Sequence, residues 1–211
     1  MYRRIIACLK SYPATLTLTV ANFLMFAVRQ YLGKAFVINF SCYSLYSLKN
    51  PLGIVLSIFL HADISHLLIN MALFIPVAHI VERIMGSLRY AFYVISTAII
   101  NNVLVSIFLA LFSPGMEFGY VGFSTAVLAS IVAFSILTNN NLIKALVAIL
   151  FVLTALLFYV EPAYKLWSIV HFSGILVGIL ATYLLPYISR FFIKFLGSLS
   201  ICSRNSPPQR K

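Results

Sequence analysis

Six long apolar segments, separated by short polar connections, run through almost the whole chain. They cover roughly residues 14–32, 63–81, 90–112, 122–137, 142–160 and 166–187. A helix rises about 1.5 Å per residue, so segments of this length approach or match the hydrocarbon thickness of a bilayer. Hydrophobic residues make up 62% of the chain and charged residues only 9%, which excludes a soluble globular domain. We therefore predict an all-α, polytopic membrane protein with six transmembrane helices.

The connections divide the chain into three parts. We predict an N-terminal segment at 1–13, a membrane domain at 14–187 and a basic tail at 188–211. Within the membrane domain, the apolar piece at 51–60 is too short to span. It is expected to lie at the interface or to fold as a membrane-embedded loop.

The lysines and arginines are unequally shared between the two sides of this arrangement. Eleven of the 15 fall on the side that holds both termini, and four fall on the other side. Because positive residues concentrate in cytoplasmic loops, both termini are predicted to be cytoplasmic. The second, fourth and sixth spans then run inward from the outer surface. The plasma membrane is the simplest location, since no organelle-targeting presequence is visible.

The net charge of +11 at pH 7 raises the question of nucleic-acid binding. The basic residues, however, form short clusters between apolar segments and offer no face for a phosphate backbone to follow. Cys8, Cys42 and Cys202 are far apart and show neither a disulfide framework nor zinc-ligand spacing. We predict a protein that works in the lipid bilayer, with no nucleic-acid partner, metal or cofactor.

Polar residues interrupt the three inward-running spans at similar depths. His66 and Asn70, four residues apart, share one face of the second span, Ser124 opens the fourth and His171 lies in the sixth. Counted at about 1.5 Å per residue, Asn70, Ser124 and His171 lie roughly 20 to 24 Å from the cytoplasmic ends of their spans. They are predicted to converge in one buried pocket near the outer surface.

Each of these residues also has an ordinary structural explanation. Serine and asparagine in membrane helices often bond a carbonyl or join two helices, whereas a histidine inside a span is costly and more often functional. Residue counts restrict the chemistry further. Asp63 is the only aspartate, so no aspartyl pair is available, and the zinc-protease motif His-Glu-x-x-His is absent. What remains for hydrolysis is a serine activated by a histidine, without an acid partner.

Three separated motifs resemble those of the rhomboid family of intramembrane serine proteases, in the same order and on corresponding spans. They are His61-Ala62-Asp63-Ile64-Ser65-His66-Leu67-Leu68-Ile69-Asn70-Met71 followed by Glu82, then Gly122-Phe123-Ser124, and last His171-Phe172-Ser173-Gly174 followed by Gly178. The resemblance covers essentially all six spans. It implies a rhomboid-like bundle of six transmembrane helices.

The resemblance also implies the roles of the polar residues. Ser124 would be the nucleophile and His171 its general base. His66, Asn70 and the backbone around Gly122 and Ser124 would support and stabilise the oxyanion. The substrates would be other transmembrane proteins, whose spans unwind near the cut site.

Two further features are expected around this site. Gly174 and Gly178, four residues apart, form a small-xxx-small face that would let the helix of Ser124 approach closely. Water must reach the site from the outer surface, and the pieces at 51–60 and 116–121 are expected to border its entrance, the second as a movable cap.

The chain departs from the usual rhomboid pattern at several positions. Thr125 follows the serine where the family has glycine, and Leu128 stands where many members carry a tyrosine that packs on the catalytic histidine. Ala78 replaces a common glycine before Glu82, and the Trp-Arg pair frequent in the first loop is missing. The extra bulk of Thr125 is expected to crowd the closest helix contact or to shift the oxyanion geometry.

Two other functions remain open at this point. One is a catalytically silent rhomboid-like protein that binds transmembrane segments, although such a protein has no need of Ser124 and His171 in register. The other is a small transporter whose histidines relay protons. A transporter requires polar residues along the whole crossing path, but the cytoplasmic halves of the inward-running spans are almost wholly apolar.

Overall fold

The computed structural model describes residues 12–42, 51–112, 119–160 and 165–204. Outside the described residues lie 1–11 of the predicted N-terminal segment, 43–50 of the first loop, 116–118 of the expected cap and 205–211 of the tail. The described part holds seven helices and no strand, which confirms the all-α prediction. The helices are α1 (Pro13–Phe40), α2 (Pro51–Leu56), α3 (Ile64–Met85), α4 (Ser87–Phe112), α5 (Ser124–Leu137), α6 (Asn141–Val160) and α7 (Lys165–Arg204).

Local sequence signals set several helix ends. Pro13 stands at the start of α1, where its missing N–H costs no hydrogen bond. Asp63 caps α3 by accepting a hydrogen bond from the backbone N–H of His66 at 2.8 Å. At the other end of α3, the N–H of Gly86 donates to the carbonyl of Glu82 at 2.7 Å. The motif that carries His66 and Asn70 therefore lies on a helix with defined limits.

Three helices of the described chain are long and apolar enough to cross a membrane. They are α3, α4 and the Leu166–Leu184 part of α7. Two shorter apolar helices, Ser124–Leu137 and Asn141–Leu156, accompany them. These apolar helices agree with the predicted all-α, rhomboid-like membrane bundle. The count of six spans stays a prediction.

Two predicted connections are more helical than the sequence suggested. The first span continues beyond residue 32 as far as Phe40, with a break at Gly33, whose φ of 76° and ψ of −169° are not helical. The last helix runs on from the predicted end of its span to Arg204, into the segment expected to be a tail. Apolarity marks where a helix is in lipid, but helical hydrogen bonding continues beyond it.

The short helix α5 is the centre of the bundle. It packs against α3, α4, α6 and α7, and small residues on several of its sides, including Ala126, Ala129 and Ala133, are fully buried. Tyr90 and Tyr93 of α4 bond to this helix, the first to the Ser130 hydroxyl at 2.9 Å and the second to the Ala129 carbonyl at 2.9 Å. A helix surrounded by protein on all sides needs no polar face.

The buried carboxylate of Glu82 joins the end of α3 to the start of α1. It accepts hydrogen bonds from the backbone N–H groups of Ala14 and Thr15 at 3.0 and 2.8 Å, and from the Thr15 hydroxyl at 2.6 Å. Backbone N–H groups at a helix start lack partners within the helix and favour negative charge. Glu82 therefore fixes α1 against α3 at the end of the bundle away from His66.

Candidate active site

A cavity of about 560 Å³ lies where the starts of α3, α5 and α7 meet. Four of the seven residues predicted to form or support the site line it. They are His66, Gly122, Ser124 and His171. Both segments expected at the entrance contribute to the wall, one through Ser57 and the other through Gly119, Tyr120 and Val121. The other lining residues are Ala62, Asn102, Thr125, Leu166, Trp167 and Val170.

Ser124 is the first residue of α5, directly after a turn at Gly122. The hydroxyl is half-buried and faces the cavity. Because Ser124 begins the helix, its backbone N–H has no acceptor within α5 and is available to an anion. Among the described residues no hydrogen bond joins Ser124 to His171, although both line the same cavity. In sites without substrate, catalytic hydrogen bonds are often longer than in the working complex.

The imidazole of His171 is held on its own helix. Its Nδ1 lies 2.7 Å from the carbonyl oxygen of Trp167, one turn earlier in α7. A carbonyl only accepts, so Nδ1 carries the proton and Nε2 is left as the basic nitrogen. The indole ring of Trp167 also packs on the imidazole, with ring centroids 4.3 Å apart and an angle of 37° between the planes. Sequence reasoning missed Trp167, although the i, i+4 spacing was visible.

His66 lines the cavity from α3, with its imidazole against Gly122. A Cβ added to Gly122 would stand 2.6 Å from Cε1 of His66, so a larger residue there would force the imidazole to shift. The second histidine of this motif, His61, is fully buried and meets the His66 ring edge-on at 5.1 Å. Its Nδ1 lies 3.2 Å from the Phe59 carbonyl oxygen.

Asn70 lies one turn beyond His66 on α3 and does not line the cavity in this structure. It is 4% exposed, and within the described chain its amide Nδ2 is buried without a hydrogen-bond partner. A buried N–H donor without an acceptor costs free energy and is rare in native structures. A free N–H donor is what a side chain needs in order to bind an oxyanion.

Gly174 and Gly178 lie against α5. A Cβ on Gly174 would be 3.1 Å from Cγ2 of Thr125, and a Cβ on Gly178 would be 2.9 Å from the Cα of Ala129. The helix of His171 and the helix of Ser124 are therefore in direct contact through these two glycines. This contact fixes how the side chains of Ser124 and His171 are placed relative to each other.

The bulk of Thr125 is accommodated between α7 and α4. Its methyl group faces Gly174, and its hydroxyl accepts a hydrogen bond from Nδ2 of Asn101 at 3.2 Å. The same amide nitrogen lies 3.3 Å from the Val170 carbonyl oxygen, next to His171. Asn101 thus joins the residue after Ser124 to the residue before His171. The sequence analysis missed Asn101, a buried amide in the middle of an otherwise apolar span.

A second polar network supports the turn before Ser124. The backbone N–H of Gly122 donates to the Ser57 carbonyl at 2.9 Å, and Asn102 of α4 donates to the Ser57 hydroxyl at 3.1 Å. Tyr120 exchanges two backbone hydrogen bonds of 3.0 Å with Cys42. These bonds hold the 119–122 segment between α2 and the end of the α1 region, so the described end of the expected cap is anchored.

Few charged side chains lie near the cavity in the described part of the chain. Burial, with repulsion from His66 as a smaller cause, lowers the pKa of His61 from 6.5 to about 4, so this side chain is neutral at pH 7. Hydrogen bonds from the Ser65 hydroxyl and the His66 N–H lower the pKa of Asp63, which keeps the cap of α3 ionised. His61 is not an acid and Asp63 caps α3, so neither is a carboxylate partner for His171.

Comparison with known protein families gives one result for this chain. A family model described as "Rhomboid domain" matches residues 49–188. This stretch is more than half of the chain and includes His66, Asn70, Ser124 and His171 together with both packing glycines. No curated protein matches the chain significantly. The chain therefore belongs to the rhomboid family.

Proposed function

We propose that this protein is an intramembrane serine protease that cleaves transmembrane segments of other membrane proteins. The observation that carries the proposal is the cavity that Ser124 and His171 share, which His66 also lines. Membership of the rhomboid family supports it, because most members are proteases of this kind. The family also includes inactive proteins. The side chains of the cavity are therefore what distinguishes an active protease from an inactive member.

In the proposed mechanism, Oγ of Ser124 attacks the carbonyl carbon of the scissile peptide, and Nε2 of His171 takes its proton. The Trp167 carbonyl on Nδ1 favours the tautomer that this step requires. The imidazolium then returns the proton to the leaving amine. A water molecule, deprotonated by the same histidine, hydrolyses the acyl-enzyme and frees Ser124.

The oxyanion formed in this mechanism would be stabilised by donors that have few other uses. The backbone N–H of Ser124 lies at the start of α5, the amide of Asn70 has an unmet donor, and His66 lines the cavity. Removing one such donor costs roughly 10²- to 10³-fold in kcat in a serine protease. The substrate would be a membrane protein, since the cavity belongs to a bundle of apolar helices.

The test is cleavage of a single-span reporter protein by the purified chain in liposomes. The intact protein is expected to cut, and Ser124→Ala and His171→Ala are expected to be inactive while unfolding at the same temperature. Ser135→Ala and His79→Ala are the matched controls, because Ser135 bonds only the Val132 carbonyl on α5 and His79 lies far from the cavity.

Labelling by a serine-reactive fluorophosphonate separates an inactive site from a poor reporter. Attack by Oγ of Ser124 on phosphorus displaces fluoride and leaves a stable ester that needs no substrate recognition. Labelling that disappears in Ser124→Ala supports the proposal even when the reporter is not cut. Absence of both cleavage and labelling in the folded protein would sink it and favour a silent binding protein.

A further inference from the structure

We infer that Trp167 is the positioning residue of the general base and replaces the acid member of a catalytic triad with two contacts of its own. The inference rests on the proposed function, in which His171 is the base. The contacts are the backbone carbonyl on Nδ1 and the indole ring on the imidazole face. Together they fix both the tautomer and the plane of the ring.

The need for such a residue follows from the charges around the cavity. A histidine base is normally oriented by a third group that bonds its second nitrogen. Among the described residues that line this cavity there is no Asp or Glu, and Glu117 and Glu161 lie outside the described part of the chain. Asp63 is engaged in capping α3, and Glu82 is engaged at the start of α1. The Trp167 carbonyl is the group that bonds the second nitrogen of His171.

A single hydrogen bond to Nδ1 leaves the imidazole free to rock about its Cβ–Cγ bond. The indole ring limits this motion, because it lies against one face of the imidazole with centroids 4.3 Å apart. Trp167 itself is 43% exposed, and it lines the cavity together with His171. An aromatic face also stabilises the imidazolium formed during the reaction.

Helix α5 does not supply this support from the other side. Leu128, one turn after Ser124, is buried in a small apolar cluster with Val132 of its own helix and Ile175 of α7. The cluster holds the two helices together one turn away from the reacting side chains. The stacking of His171 is therefore provided from within α7, where Trp167 and His171 are four residues apart.

The chain contains one tryptophan, which turns this contact into a direct measurement. A protonated imidazole in contact with an indole quenches its fluorescence, whereas a neutral imidazole does so far less. In liposomes, the emission of the intact protein is expected to fall as the pH is lowered. The fall should disappear in His171→Ala and persist in His66→Gln, which removes the other histidine that lines the cavity. Tyr120 does not interfere, since burial raises its pKa well above its usual value.

Kinetics of reporter cleavage then test whether the contact orients the base. Trp167→Leu keeps the backbone carbonyl and removes the ring, and we expect kcat to fall about tenfold with KM nearly unchanged, as for a small misplacement of a reacting group. Trp167→Phe should recover most of kcat, because it restores an aromatic face. Phe172→Leu is the matched control, since Phe172 stacks on Phe151 of α6 at 4.3 Å.

The outcomes separate this inference from the proposed function. A pH response that survives in His171→Ala, or a Trp167→Leu variant with the kcat of the intact protein, would overturn the positioning role. An intact fluorescence titration with no cleavage and no phosphonate labelling in any variant would overturn the protease assignment, and with it the catalytic role, while the ring contact itself would stand.

Discussion

Gly122 and His66 are in such close contact that the space beside Gly122 is occupied by the imidazole itself. A Cβ on Gly122 would lie 2.6 Å from Cε1 and 3.0 Å from Nε2 of His66, and the backbone φ of 130° is one that side chains rarely adopt. The turn before Ser124 and the imidazole of His66 therefore determine each other's position. Two residues from different motifs are coupled by contact rather than by sequence.

The first prediction concerns Gly122→Ala, which should displace His66 and abolish most reporter cleavage. Gly33→Ala is the matched control, because Gly33 also has a positive φ, of 76°, but no atom within 4 Å of an added Cβ. Both variants should lose stability from backbone strain. Only Gly122→Ala should lose activity per folded molecule. Equal activities in the two folded variants would contradict the role assigned to this contact.

A second prediction ranks the two packing glycines. Gly178→Ala should destabilise the protein more than Gly174→Ala, because its Cβ would lie 2.9 Å from a backbone atom, Cα of Ala129. The Cβ of Gly174→Ala would lie 3.1 Å from a side-chain methyl, Cγ2 of Thr125. Overpacking of this kind costs about 1 to 3 kcal/mol. Thermal unfolding in mild detergent measures both.

The same geometry predicts a rescue. Thr125→Ser removes the methyl group that faces Gly174 and keeps the hydroxyl that accepts from Asn101. It should restore the stability of Gly174→Ala and leave Gly178→Ala unimproved. Additive effects in the Thr125→Ser and Gly174→Ala pair would show that the two side chains do not compete for space.

A third prediction concerns the carboxylate at the start of α1. Glu82→Gln should destabilise the bundle by about 1 to 3 kcal/mol, since an amide supplies one acceptor oxygen for the two backbone N–H groups that Glu82 now holds. Thr15→Val removes only the 2.6 Å hydroxyl bond and should cost less. Unfolding in increasing concentrations of a denaturing detergent measures the difference in the free energy of unfolding. Equal losses would mean that the backbone bonds contribute little.

A fourth prediction is a pH dependence from His61. Because burial lowers its pKa from 6.5 to about 4, the unfolded chain binds a proton more readily than the folded chain. The stabilising contribution is complete above about pH 6.5, declines as the pH falls and is lost below about pH 4. It amounts to at most about 3 kcal/mol.

His61→Gln tests this contribution, since glutamine can bond the Phe59 carbonyl and does not titrate. Unfolding free energies measured between pH 7 and pH 4 should fall less steeply in the variant than in the intact protein. Parallel curves would assign the acid sensitivity to groups other than His61. Asp63 is not one of them, because its lowered pKa places its loss at still lower pH.

The sequence indicated the class of fold because hydropathy acts locally. Each apolar segment must form its hydrogen bonds within itself in lipid, so the six segments could be predicted as helices one by one. The four polar residues stood out for the same reason, as costly exceptions in such segments. The extension of α1 past Gly33 and of α7 to Arg204 could not be predicted, since nothing in the apolar pattern marks a helix that continues outside it.

Only the tertiary structure decided which groups surround those residues. That Asn101 bonds Thr125, that Ser57 holds Gly122 and that the Trp167 ring lies on His171 depends on how helices rotate and pack. Each of these contacts joins single residues on different segments. The sequence does not show which faces of two apolar helices will meet. Composition and spacing determine that helices form and which residues they carry, whereas close packing of whole helices determines which of those residues meet.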